Sequence, residues 1–300
     1  MTVVIIMISI IAILMIYCRI ETKLLKLTVY TAESRKIPDD LAGRRIVLLS
    51  DLHNTYFGDG NARLLKMIKV ASPDIIIIAG DLINGRSRSD QFKYASDMLS
   101  CLSKMNIPVY YAFGNHEYRL DGCFNNEGSY KRYCEMCDKL AILTNNRTHT
   151  LKLKDNSSSD VNDSKCVDGA RISGIVFPES QFLPEAKYSL EKPISSFIGD
   201  ADTDRYNILI AHDPTYFDDY IKWGADLVVS GHIHGGIIRL PLIGGLISPR
   251  YCLFPKYDKG VYRNEDGRMM VVSGGIGWHT IPFRFLNRPE VVAIDLVKIS

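Results

Sequence analysis

No stripe of lysine and arginine marks this 300-residue chain: 36 basic residues are balanced by 34 acidic ones, a net charge of +2. Nucleic-acid binders concentrate positive charge on one face, so no nucleic acid is implied as a partner. Cysteine is scarce as well. The seven present are an odd number, which fits a reducing compartment and argues against a disulfide framework. Cys134 and Cys137 form a lone C-x-x-C; a zinc site wants a second such pair, so two reduced thiols are the better reading. Internal repeats are absent.

The N-terminus lacks charge. Between Val3 and Cys18 the only clearly polar residue is Ser9, and with Ile20 the run nears the short limit of the about 17–25 apolar residues that span a bilayer. It has neither the basic start nor the small-residue cleavage site of a secretory signal. Residues 1–20 are therefore expected to form an uncleaved single-pass transmembrane anchor in the cell membrane, with a signal-like or buried segment as the alternative. Arg19, Lys23, Lys26, Arg35 and Lys36 follow it and no basic residue precedes it. The positive-inside rule then puts the rest of the chain on the cytoplasmic side.

Residues 21–43 read as a connecting segment holding an edge strand from Leu24 to Tyr30, and residues 44–300 as one domain. Short runs rich in Ile, Val and Leu at Ile46–Leu49, Ile75–Ala79, Val109–Phe113, Ile208–Ala211 and Leu227–Val229 read as buried strands. Helical patterns fall around Asn61–Val70, Asp90–Met105 and Gly128–Lys139. Strands alternating with helices predict an α/β fold of βαβ units. In the middle, Thr148–Lys154 and Arg171–Val176 look like a hairpin whose long polar loop spans residues 155–169.

Each buried run ends in a polar segment: Asp51-Leu52-His53, Gly80-Asp81, Gly114-Asn115-His116-Glu117, His212-Asp213-Pro214 and Gly231-His232-Ile233-His234-Gly235-Gly236. Ligands of α/β sheets bind beyond the carboxyl ends of the strands. Five parallel strand ends would gather Asp51, His53, Asp81, Asn115, His116, His212, His232 and His234 on one rim. Any one of these motifs alone is better read as structural. Jointly they are too costly to desolvate without a shared partner, which a metal centre supplies. Seven candidates remain with His116 set aside. A mononuclear catalytic site needs three, so there are enough for two divalent ions with Asp81 between them. Imidazole, carboxylate and amide without thiolate suit Mn²⁺, Fe or Zn²⁺, and an ion pair of this kind favours phosphoryl chemistry.

DLH, GDLIN, GNHE, AHDP and GHIHGG, in that order, closely resemble the five signature blocks of calcineurin-like metallophosphoesterases, and the match runs from about Arg45 to the end. The anchor and the closing GGIGWHTIPFRFLNRPE look most like the small bacterial membrane-associated branch related to YkuE and YaeI. The resemblance implies a four-layer α/β/β/α sandwich of two facing mixed sheets. It implies Asp51, His53 and His234 on one metal, Asn115, His212 and His232 on the other, and Asp81 between. It also implies that His116 is no ligand but stabilises charge or protonates the leaving oxygen, while a metal-held hydroxide attacks phosphorus. The expected activity is hydrolysis of a phosphoester, with phosphodiesters favoured. Two other classes compete: amide or lactam hydrolysis, which an absent H-x-H-x-D-H run would favour, and a membrane-anchored metal-binding protein without activity, against which His116 speaks.

Around this set, Glu117 either orients His116 or is a solvated loop charge, and Asp213 either backs the metals or makes a turn. Asn84 is a candidate substrate contact. His279 and Arg284 lie in the closing segment, and Arg284 is a candidate phosphate partner through its fork of donors. His149 reads as surface. The apolar stretch Ile237–Phe254 either packs over the core or receives the greasy part of a lipid-linked substrate.

Overall fold

The strand Ile75–Ala79 has no polar face, and all five of its residues are buried. Such a strand must be covered on both sides, and here a second sheet covers one of them. The computed structural model describes residues 1–85, 91–120, 128–154, 164–182, 190–248, 252–278 and 282–300. Its strands are β1 (Lys26–Ser34), β2 (Arg45–Leu49), β3 (Ile75–Ala79), β4 (Val109–Ala112), β5 (Ile142–Leu143), β6 (Arg147–Lys154) and β7 (Ser164–Ile175), then β8 (Tyr206–Ala211), β9 (Leu227–Ser230), β10 (Arg239–Leu240), β11 (Gly244–Gly245), β12 (Gly260–Arg263), β13 (Met269–Val272) and β14 (Glu290–Lys298). The helices are α1 (Thr2–Glu21), α2 (Ala62–Ala71), α3 (Gln91–Ser103), α4 (Asn115–Tyr118), α5 (Ser129–Asp138), α6 (Ser195–Ile198) and α7 (Phe217–Trp223).

One sheet runs β1-β14-β2-β3-β4-β5 and the other β12-β13-β9-β8-β7-β6. The ligand-bearing strands are therefore divided, β2, β3 and β4 in the first sheet and β8 and β9 in the second, and the single rim expected from strand alternation is corrected to two facing rims. A run buried on both faces looks alike in either sheet, so its spacing does not say which sheet it joins. The four layers implied by the resemblance are present. Alternate residues of each strand enter different cores. Ile46, Leu48, Ile75 and Ile77 meet Ile172, Ile208, Ile210 and Val229 between the sheets. Val47, Leu49, Ile76 and Ile78 pack outward on Leu64 and Ile68 of α2, Leu99 of α3 and Tyr133 of α5. Leu209, Val228 and Met270 pack on Phe217 and Tyr220 of α7. Each fully buried side chain of this size contributes about 1.5–3 kcal/mol.

β7 begins at Ser164, so much of the predicted loop is strand: Lys165 pairs with Leu153 and Cys166 with Lys152. The reason is Val167 and Ala170, which enter the inter-sheet core. The expected edge strand is β1, which lies parallel to β14, and β14 lies antiparallel to β2. The chain therefore leaves α1 at the same edge of the sheet where β2 delivers Asp51. An 18-residue window of the 20-residue α1 has a mean hydropathy of 2.8 and is almost wholly unburied, except in its last turns. There Cys18 and Glu21 are buried, the Tyr17 ring meets Phe285 edge-on at 5.8 Å, and Glu21 Oε1 accepts the Asn287 N–H at 2.9 Å.

Candidate metal centre

Past the end of each ligand-bearing strand the backbone turns sharply. Asp51, His53, Asp81, His232 and His234 all have positive φ, between 45° and 69°. Non-glycine residues seldom adopt this conformation, and it costs energy that is usually stored at functional sites. The turns bring the side chains together. Asp51, His53 and His234 form one cluster and Asp81, His212 and His232 another, with ligand atoms in each within 4.8 Å of one another. His234 Nε2 lies 3.4 Å from Asp51 Oδ1 and 3.0 Å from His53 Nε2. Asp81 Oδ2 lies 3.0 Å from His212 Nε2, 3.8 Å from His53 Nε2 and 3.8 Å from His116 Nε2, so Asp81 stands between the two clusters. The close approach needs glycine. A Cβ on Gly114 would sit 2.2 Å from Asp81 Oδ1, and one on Gly231 would sit 2.4 Å from Asp51 Oδ2.

Hydrogen bonds fix the orientation of each group. Ser50 Oγ donates to Asp51 Oδ2 at 2.6 Å, and the His232 N–H reaches the same carboxylate. His212 Nδ1 donates to the Ala79 carbonyl at 2.7 Å and His116 Nδ1 to the Asn84 carbonyl, so both present Nε2 to the clusters. Glu117 is neither a solvated charge nor bonded to the His116 ring. It is buried, and its carboxylate accepts from the backbone of Asp81, Leu82 and Gly114 and from Tyr111 Oη. It ties the β3 and β4 turns to each other.

The electrostatics call for positive charge. Burial pushes the Asp51 carboxyl up to about 6, against the attraction of His212. Burial also acts on Asp81, but His212, His116 and His53 outweigh it and hold that carboxyl well below the usual range. His212 loses stability as a cation through burial, yet Asp81 and Asp51 push it up to about 10. The residues fit metal: two carboxylates, four imidazoles and the Asn115 amide, whose Oδ1 is buried without a hydrogen-bond partner and is a ready ligand.

Other expectations divide. Asn84 meets the site through its carbonyl on His116, and its N–H is held by Asn54 Oδ1 at 2.7 Å. Arg284 is buried, and its donors go to the carbonyls of Gly274, Gly275, Gly277 and Asn287. It braces the loop behind Asp51, and those four bonds leave its fork engaged where a phosphate was expected. Asp213 caps a turn through Thr215 N, the turn role. His149 is half-buried on the edge strand β6 and bonded to the Leu143 carbonyl. His279 lies outside the described residues. In the stretch 237–254, Leu242, Ile243, Leu253 and Phe254 are exposed, contrary to ordinary packing over the core. Two contributors escaped sequence reasoning: Asn287, which donates to the His234 carbonyl at 2.6 Å, and Phe182, whose ring stands edge-on to His232 at 5.3 Å.

Residues 44–236, more than half the chain, match the family described as Calcineurin-like phosphoesterase, and the chain belongs to that family. Membership implies a hydrolase whose Asp and His clusters bind divalent metal. Among similar proteins, "Transmembrane protein with metallophosphoesterase domain" of Danio rerio is 27% identical over 87% of this chain and 55% of its own length. "Uncharacterized metallophosphoesterase YkuE" of Bacillus subtilis is 27% identical over 92% of this chain and 87% of its own. "Uncharacterized metallophosphoesterase" of Aquifex aeolicus is 28% identical over 93% and 95%. This chain thus spans about half of the first relative and most of the other two. Among solved structures, TT1561 of Thermus thermophilus is similar with a TM-score of 0.42 and 12% identity, covering 78% of this chain and 91% of that one.

Proposed function

We propose that this chain is a dinuclear metal-dependent phosphoric ester hydrolase that favours phosphodiesters and is held on the cytoplasmic side of a membrane by α1. The observation that carries the reading is the position of Asp81, whose carboxylate lies between Asp51/His53/His234 on one side and His212/His232 on the other. Asp51, His53 and His234 would hold one ion and Asn115, His212 and His232 the second, with Asp81 shared. Mn²⁺, Fe or Zn²⁺ would suit these donors. Such a pair, when bound, lowers the pKa of a water and neutralises charge growing on the phosphoryl oxygens.

The chain's own residues do the rest. His116 commits Nδ1 to Asn84, which leaves Nε2 as the atom that can carry a proton and give it to the leaving oxygen. Burial pushes the His116 imidazole down, while Asp81 and the Asn84 carbonyl push it up. Glu117 and Arg284 hold the turns that carry Asp81 and Asp51. The exposed apolar residues of the 237–254 stretch support a lipid-linked phosphoester as substrate. The reading is tested with the full chain, bis-p-nitrophenyl phosphate and added Mn²⁺. Expected are turnover that chelator abolishes, two ions per chain by elemental analysis, and a loss of about 100-fold or more in H116A with metal content retained. Two bound ions without turnover on any phosphoester would mean a metal-binding protein instead.

A further inference from the structure

The metal centre and α1 share one edge of the sandwich, and that edge exposes several large apolar side chains beside Arg239, Lys256 and Asp258. Leu242 is 108% exposed, Ile243 62%, Leu253 61%, Phe254 55% and Leu286 45%. Scattered apolar residues on a surface need no explanation, but a contiguous set does. Backbone bonds join these in sequence: Arg239 N–H to the Phe285 carbonyl at 2.9 Å, Leu246 N–H to Ile238 at 2.8 Å, and Phe254 N–H to Leu246 at 2.9 Å. The platform begins at Phe285, whose ring lies on Tyr17 of α1. Leu242, Phe254 and Leu286 moreover have φ of 67°, 50° and 51°, a left-handed backbone that costs energy in a branched or bulky residue.

We infer that Leu242, Ile243, Leu253, Phe254 and Leu286 form a second membrane contact, which seats the metal-centre edge of the sandwich in the lipid surface beside α1. The occupant follows from three features. Tyr17 belongs to the last turns of the apolar helix, the level at which tyrosines sit in the lipid–water interface, so its partner Phe285 and neighbour Leu286 lie at the same height. Arg19, Lys23, Arg63 and Arg288 are exposed around the helix exit, where Arg63 donates to the Lys23 carbonyl and Arg288 to that of Leu24. This cationic collar suits anionic headgroups. Finally, apolar side chains next to a basic rim are the composition of surfaces that lie in the interface plane, buried by about 5–10 Å. The inference rests on the reading of α1 as a membrane span and is independent of the chemistry at the metals.

The test uses the full chain reconstituted in vesicles of zwitterionic and anionic phospholipid, some brominated near the headgroup end of the acyl chains. L242W and F254W each add an emitter, and the signal of Trp223 and Trp278 in the unaltered chain is subtracted. V70W is the control. Val70 is exposed near the C-terminal end of α2, where the Ala71 carbonyl accepts from Arg45 at the first residue of β2, the edge opposite the metals. Expected is blue-shifted emission, strongly quenched by bromine, in L242W and F254W, with V70W red-shifted and unquenched. Equal, weak quenching in all three overturns the inference. Blue-shifted but unquenched emission with cross-linked dimers overturns it too, by assigning the face to a second copy of the chain. Failure of the unaltered chain to float with vesicles removes the span and the contact together. None of these outcomes depends on turnover.

Discussion

The two edges of the sandwich carry similar charges in opposite circumstances. At the amino ends of the first-sheet strands, Arg45 pairs with Asp295 at 2.6 Å and Arg44 with Asp74 at 2.8 Å, each side chain roughly a third exposed. Asp74 and Asp295 each have their own guanidinium and stay partly exposed. At the carboxyl ends, Asp51 and Asp81 are buried within reach of His53, His116, His212 and His234, and no lysine or arginine side chain donates to either one among the described bonds. One edge is electrically complete as folded. The other buries its carboxylates among imidazoles, the donors that the proposed cations would take.

The comparison can be broken at several points. D81N should do the most damage, lowering metal-dependent turnover by more than about 100-fold, the upper range for residues that merely orient ligands; retained turnover with two ions bound would remove Asp81 from its shared position. E117A should destabilise the chain by about 3 kcal/mol or more in chemical denaturation, because several buried N–H groups each worth about 1–3 kcal/mol lose their acceptor. A loss under 1 kcal/mol would return Glu117 to the role of a loop charge. Mn²⁺ at 100 times its dissociation constant should stabilise the unaltered chain by about 2.7 kcal/mol, read as a rise in melting temperature that D81N lacks. R45A, at the complete edge, should cost only about 0.2–1 kcal/mol and leave metal content unchanged. A metal defect in R45A would mean that the two edges are not independent.

The clustering of these side chains was legible because they follow closely on apolar runs, and chain direction then fixes the edge they reach. The apportioning of strands between two sheets was not legible from spacing, since Ile75–Ala79 and Ile208–Ala211 are equally apolar on both faces. The supports were the least visible. Glu117 is next to His116 in sequence, yet besides the local Gly114 N–H and Tyr111 hydroxyl it accepts from backbone groups of another turn, 34–36 residues away. Asn287 serves His234 across 53 positions. Bonds of side chain to distant backbone follow from the folded path and have no sequence period. The length of β7 was misjudged because Val167 and Ala170 sit in polar surroundings along the chain, although both are buried in space.

The last turns of α1 belong to the globular body. Glu21 holds the Asn287 N–H, and Asn287 in turn holds the carbonyl of His234. A version truncated just after the helix would discard Tyr17, Cys18 and Glu21 along with the exposed apolar residues. It would leave an open seam one residue removed from a ligand, so a useful truncation has to begin upstream of Tyr17.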